Sequence, residues 1–357
     1  MQNIMKKIFI LFSILWLSGN AVNTVLAQDI HFSQFYENAI LRNPALTGIF
    51  SGDYKAGVNY RTQWSNISVP FQTALASAES RLSLGEGGDF LSYGLCAAFD
   101  RAGSIDFNSI EVYPAINYNK FLEDKHSSYL SVGFTGGYIQ RSVDMNKMTF
   151  SSQYINGSFS SSNPTGENQP FKSVQNYDLG AGISLNSSFG EYNQVNYYLG
   201  AAAYHITKPS QTFSGDDAFI RLNTRWSGNF GLRYSIDPQV ALTFHFNYTN
   251  QAPYEETIGG GMVSWKSIGT SNSTNFTVYG GLFYRLHDAI ITTVKIDYQN
   301  YSLTLSYDVN NSSLKPATQG AGGFEISLYI RGYFKKAIKA TDATKCPRFE
   351  DLSNPGF

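Results

Sequence analysis

The sequence lacks the features that mark small secreted domains and nucleic-acid-binding proteins. Its 357 residues include only two cysteines, Cys96 and Cys346, which are too few for a disulfide scaffold. Lysine and arginine together number 26, against 27 aspartates and glutamates, so the net charge is −1. Because phosphate backbones are bound by basic surfaces, this balance predicts no nucleic-acid partner.

Long hydrophobic runs are also lacking beyond the N-terminus. There, Lys6 and Lys7 precede the apolar run Ile8–Leu17, and Val25-Leu26-Ala27 follows, a pattern typical of a signal peptide. We expect cleavage after Ala27, which makes residues 1–27 the signal peptide; the alternative is a retained anchor helix. The apolar run is shorter than the ~20 residues of a membrane-spanning helix. The pattern excludes a helical membrane protein and leaves a secreted, periplasmic or outer-membrane location.

Signals of enzyme chemistry are missing as well. No two histidines have the spacing of metal ligands, and no motif supports a Ser–His–carboxylate triad. The glycine pairs Gly260-Gly261 and Gly322-Gly323 are not followed by the helix that a phosphate cradle needs. The five histidines are His31, His126, His205, His245 and His287. We therefore predict no catalytic residue and no metal site.

The sequence is instead rich in aromatic side chains, which make up 15% of it, and in glycine, with 32 residues. The stretch Leu222–Asn250 alternates apolar and polar residues in two arms around a turn at Ile236–Gln239. In its first arm the apolar face is predicted to carry Leu222, Thr224, Trp226, Phe230, Leu232 and Tyr234. A period of two indicates strands with one apolar and one polar face. Arms of about a dozen residues resemble tilted membrane-spanning strands of ~9–11 residues more than soluble strands of ~5–6.

The same alternation continues from Asp53 to Arg331 and defines fourteen strands. Pro114 suggests a bulge or a local edge in the fourth strand, and the tenth, within Pro253–Ile268, is the least regular. The longest connections, Val143–Asn176, Lys208–Arg221 and Asn310–Gly320, follow odd-numbered strands, whereas connections after even-numbered strands are short. Bacterial outer-membrane barrels have even strand numbers, short periplasmic turns and longer outer loops. We therefore predict an all-β fold, a transmembrane outer-membrane β-barrel of about 14 antiparallel strands over residues 52–334.

Two segments that do not alternate flank this barrel. Residues 28–51 contain the turn signals Asn43, Pro44 and Gly48, and we predict that they form a plug in the lumen. Residues 335–357 are polar and lie on the periplasmic side by strand parity. This tail is either a frayed end or a periplasmic docking peptide. Its apolar side chains for docking are Phe349, Leu352 and Phe357.

Charged residues at lumen-facing positions predict either an ion-pair network that fills the interior or a polar pore. They are Lys55, Arg61, Glu79, Arg81, Glu111, Asp178, Arg225, Arg233, Lys295, Asp297, Glu325 and Arg331. His245 and Cys96 have the same parity, and we expect a hydrogen-bonded interior histidine and a free thiol. Tryptophans near strand ends are predicted to sit in the interfacial belts of the bilayer. They are Trp64, Trp226 and Trp265.

Three stretches in order resemble the PorP/SprF family of type IX secretion system membrane proteins of Bacteroidota. They are HFSQFYENAILRNPALTG (31–48), GVNYRTQW (57–64) and LSYDVNNSSLKPATQGAGGFEISL (305–328); Ile30 departs from the family pattern, which has proline there. In the plug the resemblance rests on His31, Phe32, Ser33, Gln34, Asn43, Pro44, Ala45 and Gly48. In the barrel it rests on Tyr60, Arg61, Trp64, Ser306, Tyr307, Asp308, Lys315, Pro316, Gly323, Phe324 and Glu325. The resemblance implies an outer-membrane barrel for secretion and surface attachment of large proteins, linked in some members to gliding motility. It also implies no enzymatic activity and no cofactor.

From this resemblance we expect a protein that binds a secreted cargo protein through the cargo's C-terminal sorting domain. Further partners are the lipid bilayer and components of the secretion translocon or the periplasmic ring. The alternative is an outer-membrane channel or transporter for small or hydrophobic molecules. Aromatic residues of the longest loop, Val143–Asn176, are the candidate cargo contacts, because such residues dominate binding interfaces. They are Phe150, Tyr154, Phe159 and Phe171.

Overall fold

A computed structural model describes most of the chain between residues 29 and 334. The described ranges are 29–66, 69–85, 87–123, 125–166, 172–213, 220–268, 274–313 and 315–334. The predicted signal peptide and tail, with Phe349, Leu352, Phe357 and Cys346, lie outside these residues, as does Phe171. No helix among the described residues is long and apolar enough to cross a membrane.

Sixteen strands occur in the described part, and fourteen of them close into an antiparallel barrel. The barrel strands are β1 (Tyr54–Gln63), β2 (Phe71–Ser83), β3 (Phe90–Ala102), β4 (Phe107–Glu123), β5 (Ser128–Ser142), β8 (Ser173–Phe189), β9 (Val195–Tyr204), β10 (Arg225–Ser235), β11 (Val240–Gln251), β12 (Tyr254–Ile268), β13 (Thr274–Arg285), β14 (Ala289–Tyr298), β15 (Tyr301–Asn310) and β16 (Ala321–Gly332). The remaining two, β6 (Tyr154–Ile155) and β7 (Ser158–Phe159), form a small hairpin in the longest loop.

Short helical turns lie before the barrel and in its loops. The segment before β1 has 3-10 turns at Phe35–Glu37 and Pro44–Leu46 and one α-helical turn at Ala39–Arg42. Two 3-10 turns, Met145–Lys147 and Ser151–Gln153, lie in the longest loop, and an α-helical turn, Lys315–Thr318, lies between β15 and β16.

Each barrel strand pairs with the next barrel strand along the chain, and β1 closes the ring against β16. The closing register runs from Tyr54 opposite Gly332 to Gln63 opposite Gly323. We call the end where β1 begins and β16 ends the turn end, and the opposite end, which carries the loops 143–172, 205–224 and 311–320, the loop end. The closed fourteen-stranded barrel confirms the predicted fold class.

The alternation of side chains is realised as two faces of the barrel wall. On β11, Phe244 is 57% exposed on the outer face, whereas its neighbour Thr243 is 5% exposed on the inner face. Trp226 lies near the loop end of its strand and Trp265 near the turn end, both exposed on the outer face. A closed ring leaves no unpaired strand edge, which is what a lipid environment requires.

The structure corrects the sequence prediction for Leu222. Strand β10 begins only at Arg225, and Leu222 is buried in the same apolar cluster as Phe32 instead of facing outward. Its backbone N–H donates to the Pro209 carbonyl at 2.9 Å, and the Gln211 N–H donates to the Ile220 carbonyl at 2.8 Å, so residues 209–211 and 220–222 pair with each other.

Of the two alternatives predicted at Pro114, a bulge or a local edge, the structure shows a local edge, a short gap in the pairing with β5. The register with β5 is the same at Val112 opposite Tyr138 and at Ala115 opposite Thr135, so no residue is inserted. Pairing is missing only at the two positions between them, where proline has no N–H to donate. The Pro114 carbonyl still accepts the Thr135 hydroxyl at 2.8 Å.

Candidate functional site

The lumen holds the segment that precedes β1, residues 29–52, which we call the plug. Asp29 lies at the loop end, where the Gln251 amide donates to its carboxylate at 3.1 Å. Phe50 lies towards the turn end, where its carbonyl accepts from Arg81 at 3.4 Å. The side chains from Phe32 to Phe50 are almost all buried. The segment therefore crosses the lumen from one end of the barrel to the other.

The first turn of the plug is held by a cluster of buried charges on β1, β15 and β16. The backbone N–H groups of Ser33 and Gln34 donate to the two Glu325 oxygens at 2.7 and 3.0 Å. Arg61 bridges both acids, at 2.9 Å from Asp308 and 3.1 Å from Glu325. The Ser33 hydroxyl donates to the Asp308 carboxylate at 2.7 Å. These four side chains are at most 2% exposed, so their charges are balanced within the protein and not by solvent.

The Ser33 cluster extends to β13 through Arg285. This guanidinium donates to the Ser33 hydroxyl at 2.8 Å and pairs with Asp308 at 3.1 Å. The Gln34 amide completes the contact by donating to the Ser306 hydroxyl at 3.1 Å and to the Glu325 carbonyl at 3.1 Å. Charge-assisted hydrogen bonds are about twice as strong as neutral ones, so the cluster fixes the plug firmly to this wall.

Glu37 anchors the next turn of the plug with two lysines. Its carboxylate lies 2.7 Å from Lys295 on β14 and 3.2 Å from Lys55 on β1. Nearby, the Tyr329 hydroxyl donates to the Asn38 side chain at 2.8 Å. The plug thus supplies an acid that pairs with two inward lysines.

The middle of the lumen holds the Asn43-Pro44-Ala45 turn through neutral groups. The Asn43 amide donates to the Ile183 carbonyl at 3.1 Å and to Asn229 at 3.0 Å, and its oxygen caps the turn by accepting from Ala45 N–H at 2.9 Å. The Ala45 carbonyl in turn accepts from Asn117 at 2.9 Å and from Ser184 at 3.0 Å. Five hydrogen bonds therefore specify the position of this turn without a net charge.

Glycines on the inner wall make room for the same turn. A side chain at Gly133 would overlap the backbone between Pro44 and Ala45, and one at Gly182 would overlap the Asn43 side chain. A side chain at Gly200 would lie 2.6 Å from the Asn43 amide nitrogen. The inner wall is therefore shaped to the plug, since any larger residue at these positions would displace it.

At the loop end, the plug begins in a second charged cluster around His205. The imidazole lies between Asp29, at 2.6 Å, and Asp178, at 2.7 Å, and Arg225 approaches Asp29 at 3.1 Å. Burial disfavours the charged imidazole, but Asp29 and Asp178 outweigh it and raise the pKa of His205 to about 9. Burial likewise opposes ionisation of Asp29, but His205 and Arg225 hold the pKa of that carboxyl well below its usual range. His205 and Asp29 are therefore both charged at neutral pH.

The structure places all twelve predicted inward charges on the lumen side of the wall. Eleven are buried, and Arg225 is the partly exposed one, at 11% for its side chain. Their partners include Asp29, Glu37 and His205, and Arg285 joins the network through Asp308. The sequence reasoning did not assign these four residues to the lumen network. Asp29 and Glu37 lie in a segment without alternation, so no periodic signal marks them; Arg285 and His205 lie at strand ends.

The residues that carry the family resemblance fall into three groups. Those brought together around the plug's first turn are Ser33, Gln34, Arg61, Ser306, Asp308 and Glu325. Those around its central turn are Asn43, Pro44, Ala45 and Gly48. His31 and Gly323 lie beside the first group, His31 close to Arg61, Arg285 and Asp308 and Gly323 next to the Arg61 guanidinium. Those not brought to either place are Phe32, Tyr60, Trp64, Tyr307, Lys315, Pro316 and Phe324. Tyr60, Tyr307 and Phe324 are exposed on the outer face of the wall.

The longest loop carries an ordered hairpin away from the wall. Strands β6 and β7 are joined at Asn156-Gly157, both with positive φ, as a tight hairpin turn requires. Tyr154, Ile155 and Phe159 are 60, 47 and 49% exposed, whereas Phe150 is half-buried. The Gln153 carbonyl accepts the Ser160 N–H at 3.1 Å, which joins the residues on either side of the hairpin. The described part of the loop therefore presents three apolar side chains on a fixed frame.

Comparisons with known proteins bear on both family and fold. A family model described as type IX secretion system membrane protein PorP/SprF matches residues 24–330. No curated protein matches the chain. The toluene transporter TbuX of Ralstonia pickettii is similar in structure, with 11% identity and a TM-score of 0.50 over 82% of this chain and 93% of the transporter.

Two further solved structures are similar over comparable lengths. The CymD monoaromatic hydrocarbon channel has 11% identity and a TM-score of 0.48, over 83% of this chain and 93% of the channel. The Pseudomonas putida toluene transporter TodX has 12% identity and a TM-score of 0.47, over 82% of this chain and 93% of the transporter. At such identities the likeness to TbuX concerns the fold alone.

Proposed function

Because this chain belongs to the PorP/SprF family of type IX secretion system membrane proteins, we propose that it holds a secreted cargo protein at the cell surface. The family is a membrane component of that secretion system, and the chain is a β-barrel of the outer membrane. In our proposal the cargo's C-terminal sorting domain binds at the loop end, and the bound cargo remains attached to the cell. In members linked to motility, such cargo would act as a gliding adhesin. The barrel itself has no enzymatic role.

The observation that supports this proposal is the hairpin of β6 and β7. Its exposed Tyr154, Ile155 and Phe159 are apolar residues at the loop end, where exposed aromatic side chains serve as binding anchors. Its two short strands also have free edges, to which a strand of a β-rich partner can add. Tyr154 and Phe159 are thus the principal cargo contacts of the proposal, with the half-buried Phe150 beneath them.

The test removes the apolar anchors without changing the barrel. A triple variant, Tyr154→Ser, Ile155→Ser and Phe159→Ser, should release cargo with the sorting domain into the medium while barrel levels in the outer membrane stay normal. A matched control is Tyr192→Ser, since Tyr192 is 84% exposed in the short turn between β8 and β9 at the opposite end. Cargo that stays on the cell surface of the triple variant would rule out the hairpin as its holder.

The alternative function is a channel or transporter for small or hydrophobic molecules. It needs an open path through the lumen, which the plug fills. With the plug bound from Asp29 to Phe50, we expect little ion conductance from the intact protein in planar bilayers. Deletion of residues 30–47 should open a steady conductance. Large conductance in the intact protein would favour the channel over the anchor.

The predicted periplasmic tail supplies a separate arm of the proposal. Phe349, Leu352 and Phe357 are spaced along a proline-containing stretch and would dock onto a periplasmic component of the secretion or motility machinery. A chain truncated after Phe334 should insert as a folded barrel but export or retain less cargo. Unchanged export and retention would leave the tail without a docking role.

A further inference from the structure

Strand β8 rises above its neighbour β9 at the loop end of the barrel. β8 has 17 residues and β9 has 10, and their pairing ends at Ala181 opposite Ala203. The part of β8 before that point, residues 173–180, pairs only with β5. Counted from Phe189 at the turn end, ~9–11 residues of a tilted strand are enough to cross a bilayer. Residues 173–177 therefore lie outside the bilayer, on the loop side.

The direction of the backbone groups in this part of β8 follows from one hydrogen bond. Along a strand of an antiparallel pair, residues alternate between those that bond to the neighbour and those that point to the other side. The Val143 N–H donates to the Lys172 carbonyl at 3.2 Å, so Lys172 and every second residue after it bond to β5. The backbone groups of Ser173, Gln175 and Tyr177 therefore point away from β5, towards the side on which β9 has already ended.

The chain that follows β9 covers only the lower part of this side. The Ile206 N–H donates to the Leu179 carbonyl at 3.1 Å, and the Thr207 hydroxyl donates to the Tyr177 carbonyl at 3.3 Å. Above these contacts, no described residue bonds to the backbone of Ser173 or Gln175 on this side. We call residues 173–177 the β8 edge. Closed barrels normally leave no such edge, and an unpaired edge is a template for a further strand.

The outer face beside the β8 edge carries a pair of aromatic rings. Tyr177 is 80% exposed, and the ring of Tyr138 on β5 lies 6.0 Å from it. Gln175 is exposed on the same face. Aromatic side chains pair well with aromatic or β-branched ones on an adjacent strand. The edge thus combines free main-chain groups with a ring against which an apolar side chain of an added strand can pack.

A second copy of this chain in the same membrane does not fit the β8 edge. In two upright copies, β8 would run from the loop end to the turn end in both, with a tilt of ~35–45° from the membrane normal. Around a two-fold axis along that normal, the two strands would cross at roughly twice the tilt. Paired strands differ in direction by only about 20–25°. The edge therefore fits an extended segment that lies outside the membrane.

We propose that the β8 edge accepts a strand of the cargo's C-terminal sorting domain, which extends the sheet of β5 and β8 by main-chain hydrogen bonds. This assignment rests on the proposed cargo function. The loop that carries the β6–β7 hairpin leads directly into β8 at Ser173, so both contacts lie on one stretch of chain. The hairpin strands have only two residues each. The hairpin thus supplies the side-chain anchors, and the β8 edge supplies the ladder.

The experiment uses the full barrel in nanodiscs and follows backbone amide exchange by NMR. The probe is the purified sorting domain of a cargo protein secreted by the same cells. In the free barrel the Gln175 N–H should exchange rapidly, whereas the Asn176 N–H, which points to β5, should exchange slowly. An amide in a ladder exchanges only when the ladder opens, so the bound probe should slow Gln175 by about tenfold or more. The exchange of Asn176 should not change.

Two variants at one position separate the ladder from the side chain. Gln175→Pro removes the N–H of the edge and places a ring in the path of the added strand, but spares the ladder with β5. It should weaken binding of the sorting domain by about tenfold or more in calorimetry. Gln175→Ala keeps the N–H and is the matched control, which should bind like the unaltered barrel. Slow exchange of Asn176 in both variants verifies that β5 and β8 remain paired.

The possible failures can be told apart. Binding without slower exchange at Gln175, or equal affinity of Gln175→Pro and Gln175→Ala, would overturn the β8 edge and leave the cargo function in place. A sorting domain that binds none of these barrels would overturn both.

Discussion

Two parts of the plug meet two walls of the barrel in different ways. Ser33–Glu37 is held by charges, through Arg61, Asp308 and Glu325 on one wall and the two lysines around Glu37. Asn43–Thr47 is held on the other wall by neutral amides and hydroxyls, and by glycines that leave space for it. Buried ion pairs thus stabilise the first part of the plug, whereas the fit to the inner wall fixes the position of the second part. Each attachment can be broken without touching the other.

The largest effect should come from breaking the charged attachment. Glu325→Ala leaves two backbone N–H groups buried without an acceptor and removes one of the two acids that balance Arg61, which should destabilise the barrel by about 3–5 kcal/mol. Denaturant unfolding in lipid bilayers would measure this. Lys120→Ala, in the exposed pair with Asp89, is the control and should cost about 1 kcal/mol or less. Equal costs for the two variants would contradict the charged attachment.

Both attachments require the polar side chains of the strands to face the lumen and the apolar ones to face lipid. A charge placed on the outer face tests this assignment. Phe244→Arg places a charge on the lipid side and should cost about 2–4 kcal/mol if the position is near the bilayer midplane. Phe244→Leu keeps the surface apolar and is the matched control. If refolding into bilayers shows the same stability for both, the assignment of faces is wrong.

The shape-based attachment can be broken with a single methyl group. Gly133→Ala puts a side chain into the backbone of the Pro44–Ala45 turn and should cost roughly 1–3 kcal/mol. Gly136→Ala on the same strand is the control, because its added carbon would meet nothing within 4 Å. A matching loss of stability in both variants would show that the lumen is not fitted to the plug.

The smallest effect should be a local one, at the point where the plug begins. The pKa of His205 is raised from its ordinary 6.5 to about 9, so its ion pairs contribute stability below about pH 6.5 that is lost as the pH rises through 9. A spin label at Ile30→Cys, in a Cys346→Ser background, should therefore become mobile as the pH rises through that range. In His205→Gln the label should show no such transition. If the mobility of the label does not change with pH when His205 is present, deprotonation of His205 does not release the start of the plug.

Much of the barrel was readable from the sequence because its signal is local. Apolar and polar residues alternate with a period of two, so the outward Phe244 and the inward Thr243 could be assigned without knowing their neighbours. The inward positions of Lys55 and Lys295 followed in the same way. Leu222 was misplaced because the apolar alternation continues three residues before β10 begins, and a folded loop uses that residue instead.

The partners of the inward charges were not readable, because they come from far along the chain. Glu37 pairs with Lys295, 258 residues away, and it lies in a segment without any period. Gly133 and Gly182 contact the plug, and nothing in the sequence marks them, because a glycine has no side chain that could show a partner.

The path of the plug also limits the order in which the protein can assemble. Ser33 contacts Glu325, 292 residues later, so this contact cannot form until the final strand arrives. The plug crosses the lumen and continues directly into β1. One edge of β1 pairs with β2, and its other edge pairs with β16. Contacts between such distant residues form late, because a long loop must close first. Pairing of β16 with β1 therefore closes the barrel and forms the Ser33–Glu325 contact in the same step. The barrel wall is thus assembled around the plug.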